Sequence, residues 1–248
     1  MVTPHSLQAI AMRDFNGQKV LIIGGSSGIG AATAQSFLAL GADVTIASRT
    51  EKHLAAAAAT IGTGVHTVVL DTSDAATLSA YFTDTGRVDH VVVSAAQTLS
   101  GSARDLPLAD ARAAMDSKFW GAYHVARAAR IADGGSLTLL SGFLSVRPSK
   151  TSVLQGAINA ALESLARGLA LELSPVRVNV VSPGLVATPL WSGMSEQARQ
   201  HMYDAVAARV PARRIGRPED IANAVVYLAA TPYATGSTVL VDGGGAIA

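Results

Sequence analysis

The chain has 248 residues, 49% hydrophobic and 15% charged, which supports a large buried core and excludes bulk disorder. Its 19 basic and 18 acidic residues leave a net charge of +1, against a protein built to coat nucleic acid or anionic lipid. With no cysteine there is no disulfide framework, thiolate metal site or cysteine nucleophile.

In chain order, residues 1–16 read as a loosely held extension that lacks the apolar core of a secretory leader. Short β-branched runs then predict strands at 20–23, 44–47, 66–70, 90–93, 137–140, 176–181 and 238–241. Between them, stretches of good helix formers at 29–40, 51–60, 74–83, 108–132, 152–173 and 219–230 carry helical spacing. Residues 189–214 interrupt this rhythm as a helical insertion. Helix following strand is the pattern of a parallel sheet covered on both faces. The expected fold is α/β: a single doubly wound Rossmann-type domain over 17–248, with about seven strands. No apolar run approaches the roughly 18 residues a spanning helix needs, so a cytoplasmic protein without a membrane partner is expected.

The first strand runs into Gly24-Gly25-Ser26-Ser27-Gly28-Ile29-Gly30 and then a helix. Glycine leaves no side chain between backbone and ligand, and amides at a helix N-terminus face a phosphate favoured by the helix dipole. Placed after the first strand of an alternating chain, the loop predicts dinucleotide binding through Gly24, Ser26, Ser27, Gly28, Ile29 and Gly30. At the end of the second strand, where an NAD site usually places a carboxylate, stands Ser48 with Arg49 beside it. Arg49 can pair with a 2′-phosphate, which favours NADP(H); as an ordinary surface arginine it would favour neither cofactor.

The spacing Gly24-x3-Gly28-x-Gly30 resembles that of the short-chain dehydrogenase/reductase family, and the resemblance runs from about residue 18 to the C-terminus. It is carried further by Asp71 after the third strand and by Asn179-Val180-Val181-Ser182-Pro183-Gly184, with Thr188 and Pro189 beyond. Arg214-x-Gly216-x-Pro218-Glu219-Asp220 and Gly236-x4-Val241-Asp242-Gly243-Gly244 match the family's C-terminal motifs. The resemblance implies a nicotinamide cofactor and a small-molecule substrate, with Asp71, Thr72, Ser94, Pro183, Gly184 and Thr188 joining the cofactor site. It also implies a homo-oligomer, most simply a tetramer. Leu162, Leu165, Leu169 and Leu173 form an apolar stripe open to an interface or to the domain's own core. The apolar ending Ala246-Ile247-Ala248 suggests burial between subunits.

The same resemblance implies a catalytic Asn, Ser, Tyr and Lys, yet no Tyr-x3-Lys occurs in the chain. Gln155 falls at the tyrosine, Asn159 at the lysine, Gly142 at the serine with Ser141 adjacent, and Lys118 at the asparagine. Lys118 and Asn159 look like an exchange that keeps one cation and one amide in the pocket, although Lys118 could equally be a solvated helix residue. If burial lowers its pKa from about 10.4, Lys118 can supply a proton, whereas the Gln155 amide cannot. Two readings follow: an oxidoreductase with an altered site formed by Lys118, Gln155, Asn159 and Ser141, or an NADP(H)-binding scaffold or sensor without chemistry. The six histidines show no metal-ligand spacing, and no metal is expected.

Overall fold

Seven runs of β-branched and apolar residues form one parallel sheet in the computed structural model, which describes residues 14–248. Most of the extension read over 1–16 lies outside the described residues. The strands are β1 (Lys19–Ile23), β2 (Asp43–Ser48), β3 (His66–Val69), β4 (Val88–Val93), β5 (Ile131–Leu140), β6 (Arg177–Pro183) and β7 (Thr238–Val241). Their order is β3-β2-β1-β4-β5-β6-β7. Because β1 pairs with β2 on one side and β4 on the other, the chain reverses direction across the sheet there. That reversal opens a crevice at the carboxyl ends of the strands.

The helices are α1 (Gly28–Ala39), α2 (Glu51–Ile61), α3 (Ala75–Thr85), α4 (Leu108–Met115), α5 (Gly121–Ala128), α6 (Val153–Glu172), α7 (Glu196–Arg209) and α8 (Pro218–Ala230). Alternation along each strand divides the core in two. Leu21, Ile23, Val91, Val93, Leu137 and Leu139 face α3, α5 and α6. Val20, Ile22, Val44, Ile46 and Val92 face α1, α2 and α8. Leu162 and Leu169 of the leucine stripe are buried, and Leu165 and Leu173 pack against the same cluster. The domain's own core claims that stripe.

One predicted helix is corrected. The stretch at 108–132 is broken by a π-helical turn at Asp116–Trp120 and ends at Ala128. Ala129 is already extended, and Ile131 pairs with Val88 as the start of a longer β5. Strand pairing here overrides the helix propensity of an alanine-rich run. The insertion contains α7 and a short 3-10 turn at Pro189–Trp191.

Candidate active site

The β1–α1 turn is shaped by backbone against backbone. Gly24 adopts φ +86, and a Cβ there would stand 2.5 Å from the Ala95 nitrogen. A Cβ on Gly30 would land on the Gly24 carbonyl oxygen. The Ser94 hydroxyl donates to the Ile23 and Gly24 carbonyls at 3.2 and 3.3 Å, and Gly24 N–H donates to the Ala47 carbonyl at 2.8 Å. The Ser27 side chain makes no capping bond to α1. The first-turn amides of α1 therefore point into the crevice without a side-chain partner from the cap. Thr188 closes the other side, 3.2 Å from where a Gly28 Cβ would lie. A glycine cradle that a Cβ would fill, with helix amides behind it, fits a pyrophosphate.

Beside this cradle, Arg49 extends from the end of β2 and donates to Gln97 Oε1 at 3.0 Å. Asp71 accepts from the Ser73 amide at 2.9 Å and hydroxyl at 2.8 Å. The Ser73 amide bond lowers its carboxyl pKa most, against a smaller opposing effect of burial, and Arg49's charge lowers it further. Thr72 gives its carbonyl to His124 Nδ1 at 2.9 Å, which ties the strand end to α5.

The second part of the crevice lies where β5 ends against α6. Lys118, inside the π-helical turn, donates from Nζ to the Ser141 carbonyl at 2.8 Å and to Asn159 Oδ1 at 2.7 Å. The residue as a whole is half-buried, and desolvation of the amine lowers its pKa from 10.5 to about 8. The charge of Glu163 opposes that fall. Asn159 is buried, and its Nδ2 occupies space that a side chain at position 142 would need: a Cβ on Gly142 would stand 2.8 Å away. Gln155 is also buried and donates from Nε2 to the Leu99 carbonyl, while its Oε1 is buried without a hydrogen-bond partner. A parallel bridge between Gly101 and Ser152 fastens the same loop to the start of α6.

The family model described as enoyl-(acyl carrier protein) reductase matches residues 24–245. The chain belongs to the short-chain dehydrogenase/reductase family. It is 35% identical, over 94% of its length and 98% of the relative's, to the short-chain dehydrogenase/reductase ATR9 of Stachybotrys chlorohalonatus (strain IBT 40285). A solved small-chain dehydrogenase in complex with NADPH is 33% identical, with a TM-score of 0.79 over 94% of this chain and 100% of that one. A short-chain oxidoreductase from Pseudomonas aeruginosa PAO1, described as containing an atypical catalytic center, is 26% identical. Its TM-score is 0.86, over 94% of this chain and 98% of that one. As a short-chain dehydrogenase/reductase, the chain is an oxidoreductase whose fold binds a nicotinamide cofactor, and the family acts on small molecules. Among the described residues no helix is long and apolar enough to cross a membrane.

Against this family frame, the structure gathers most residues singled out in the sequence. Gly24, Gly28, Gly30 and Thr188 share the turn, Arg49 and Asp71 share one flank, and Lys118, Asn159, Ser141 and Gln155 share the β5–α6 end. Two side chains face differently from their expected roles. Ser94 spends its hydroxyl on the β1–α1 turn. Ser141 turns its hydroxyl to Glu163 Oε1 at 2.9 Å and offers Lys118 only its carbonyl. Of the remaining expected cofactor contacts, Ile29 gives its carbonyl to Thr33 at 2.7 Å and Ser48 shares a 3.4 Å contact with Thr50. Pro183 ends β6, and Gly184 then donates to the Val241 carbonyl at 2.9 Å.

Three participants escape a reading of the sequence. Ser117 accepts the Gln97 amide at 2.8 Å, His124 braces Thr72, and Glu163 gathers the hydroxyls of Ser141 and Ser145. Only Glu163 had a legible signal, since Gln155, Asn159 and Glu163 recur every fourth residue on one face of α6. Trp191 donates its indole N–H to the Val186 carbonyl at 2.9 Å, so it fastens the segment after β6. A cavity of about 450 Å³ lies beyond Phe143 and Leu185, against α7 and β7. Lys118, Gln155 and Asn159 do not line it.

Proposed function

We propose that this chain is an NADP(H)-dependent oxidoreductase that interconverts a small organic carbonyl compound and its alcohol. Lys118 serves as proton donor in place of the family's tyrosine. The observation that carries this reading is the Lys118 amine, held between the Ser141 carbonyl and Asn159 Oδ1 at the β5–α6 end. An ammonium has three N–H donors and a neutral amine two. Both anchors are acceptors, so they hold the nitrogen in either charge state and leave one position for a transferable proton. With a pKa of about 8, that proton is available near neutral pH.

NADPH, when bound, supplies the hydride that reaches the carbonyl carbon. Lys118 protonates the oxygen as the carbon–oxygen π bond opens, and its freed lone pair takes a proton from solvent. Asn159 keeps the amine aimed at the oxygen, while Gln155 holds the 95–106 loop over the start of α6 and exchanges no proton. Arg49, with Ser48 where a carboxylate would stand, favours a 2′-phosphate. The related NADPH complex supports that choice, and the P. aeruginosa oxidoreductase supports a working centre outside the usual pattern. The 189–214 insertion covers the substrate.

The protein further assembles as a homo-oligomer, most simply a tetramer. Leu108, Trp120 and Tyr123 on α4, the π turn and α5, with Ile247 near the C-terminus, leave apolar surface for it. Light scattering should then give a multiple of the 25.3 kDa chain mass; the single mass at micromolar concentration refutes the assembly.

The deciding experiment follows NADPH oxidation with a panel of aldehydes, ketones and quinones, in the protein and in Lys118→Met. Turnover that falls at least about 100-fold in the variant, with NADPH affinity kept, is the expected result. NADPH binding without turnover of any compound leaves a cofactor-binding protein that performs no chemistry. Equal turnover in the variant removes Lys118 from the reaction.

A further inference from the structure

One half-buried carboxylate lies beside the site. Glu163 sits two helical turns after Gln155 on α6, and its Oε1 accepts from Ser141 Oγ at 2.9 Å and Ser145 Oγ at 2.7 Å. Ser141 thus bridges two charged residues: its hydroxyl goes to Glu163 and its carbonyl to Lys118. A carboxylate packed half-buried against a strand end, with two hydroxyls committed to one of its oxygens, is costly to place there for fold alone. Leucine or alanine at 163 would continue the apolar face of α6 that Leu162 and Ala166 present to the core.

We propose that Glu163 is a positioning residue for Lys118. Its carboxylate, fixed by Ser141 and Ser145, provides the countercharge that keeps a proton on the amine and so sets the pH range in which the site can donate one. The inference rests on Lys118 being the acid.

The electrostatic surroundings are sparse enough for one charge to decide. Asp110, Arg112 and Asp116 lie on Lys118's own helical segment, Arg147 from the segment between β5 and α6 is committed to the Gly245 carbonyl at 3.0 Å, and Glu163 faces Lys118 from α6. Of these, Glu163 is the one whose charge bears on the amine. An opposite charge favours the ammonium, so it acts against the desolvation that favours the neutral amine.

The sequence makes this directly measurable, because its lysines are Lys19, Lys52, Lys118 and Lys150 alone. The 13Cε resonances of all four can be followed through a pH titration of the full chain without substrate, with Lys118→Met assigning the signal of interest. Glu163→Gln keeps an oxygen to accept from both serines and removes only the charge. The expected result is a Lys118 midpoint lower by roughly one pH unit in Glu163→Gln, and a midpoint close to the parent's in Glu163→Asp. The fall-off of NADPH-dependent reduction on the alkaline side should move down by the same amount. If Glu163→Gln does not fold, Glu163→Ala replaces it with the same expected direction. An unmoved midpoint in the charge-removed variant, in a chain whose turnover depends on Lys118, overturns the role of Glu163 and leaves the proposed reaction standing. Absence of turnover in the parent removes the reaction, and with it the role of Glu163 in setting a working pH, whatever the titration shows.

Discussion

Two ends of one crevice follow opposite rules. At the β1–α1 turn, atoms of the main chain meet one another: Gly30 lies under the Gly24 carbonyl, and Gly24 lies against Ala95. At the β5–α6 end the contacts run through side chains, from Lys118 to Asn159, from Asn159 to the space over Gly142, and from Ser141 to Glu163. A backbone cradle admits no partial substitution, because any side chain enters space already filled. A side-chain network can be exchanged as a set, provided donors, acceptors and volume still match. The family's glycine pattern is kept at the first end, whereas Lys118, Asn159, Ser141 and Glu163 hold the second.

The first end breaks most severely. Gly30→Ala places a Cβ on the Gly24 carbonyl oxygen and 2.7 Å from Ser94 Oγ, so the turn must open. NADPH affinity should fall more than about 100-fold, over 2.7 kcal/mol, with a lower Tm in thermal melts without cofactor. An affinity within about threefold of the parent would show that the turn does not hold the phosphates.

At the second end, Lys118→Met should lower turnover by about 100-fold while NADPH affinity changes little. Reduction should decline as pH rises through about 8, because the donor is lost there, and alcohol oxidation should rise over the same range. Stability carries the complementary sign. The folded pKa lies below the ordinary 10.5, so between about 8 and 10.5 the unfolded chain binds more protons and stability increases with pH. Below about 8 the buried charge is a standing cost. Lys118→Met should therefore raise Tm at pH 7, and that gain should shrink by pH 10. A variant less stable at pH 7 would mean that the amine's two hydrogen bonds outweigh its desolvation.

Arg49 sharpens the comparison from the cofactor side. It is exposed and joined to Gln97 at 3.0 Å, so its loss leaves the glycine cradle intact. Arg49→Ala should weaken NADPH about tenfold, near 1.4 kcal/mol, and leave NADH almost unchanged. Fluorescence titration of both cofactors separates this from a general loss of binding. Equal weakening of the two would place Arg49 at the adenine or ribose rather than at a 2′-phosphate.

The sequence makes the sheet legible because each strand is a short β-branched run and each helix an independent periodic stretch. The glycine turn is legible because its glycines fall within one short stretch, Gly24 to Gly30, although the atoms they make room for include Ala95, Ser94 and Thr188. The β5–α6 end is only half legible. Residue types at 118, 155 and 159 announce a departure, but the direction in which each side chain spends its hydrogen bonds depends on elements far apart in the chain. Nothing near Gln155 in sequence tells that Leu99 takes its amide. Nothing near Ser141 tells that its hydroxyl turns to Glu163, 22 residues on. The break in the long helix at Asp116–Trp120 is hidden for the same reason: the wider π turn carries Lys118 to the strand end, and only Gly121 at its end marks it.

The smallest expected effect comes from restoring one family residue alone. Gln155→Tyr puts a phenol at the position where the resemblance implies the family's proton donor, yet ordinary carbonyl reduction should not rise by more than about threefold. The tyrosine would lack the lysine that lowers its pKa, because position 159 holds an amide whose oxygen is committed to Lys118. It would also lack the serine that orients the substrate oxygen. A serine at 142 would displace the Asn159 amide, since a Cβ there meets Nδ2 at 2.8 Å. Meanwhile the change removes the bond from Gln155 to Leu99 and releases one of the two ties between the 95–106 loop and α6. On the correspondence that the resemblance implies, recovery of activity should need several positions to change together: tyrosine at 155, lysine at 159, serine at 142 and asparagine at 118. A large gain from Gln155→Tyr alone would show that Lys118 can serve a tyrosine from the opposite helix. The two ends of the crevice would then differ less than their contacts indicate.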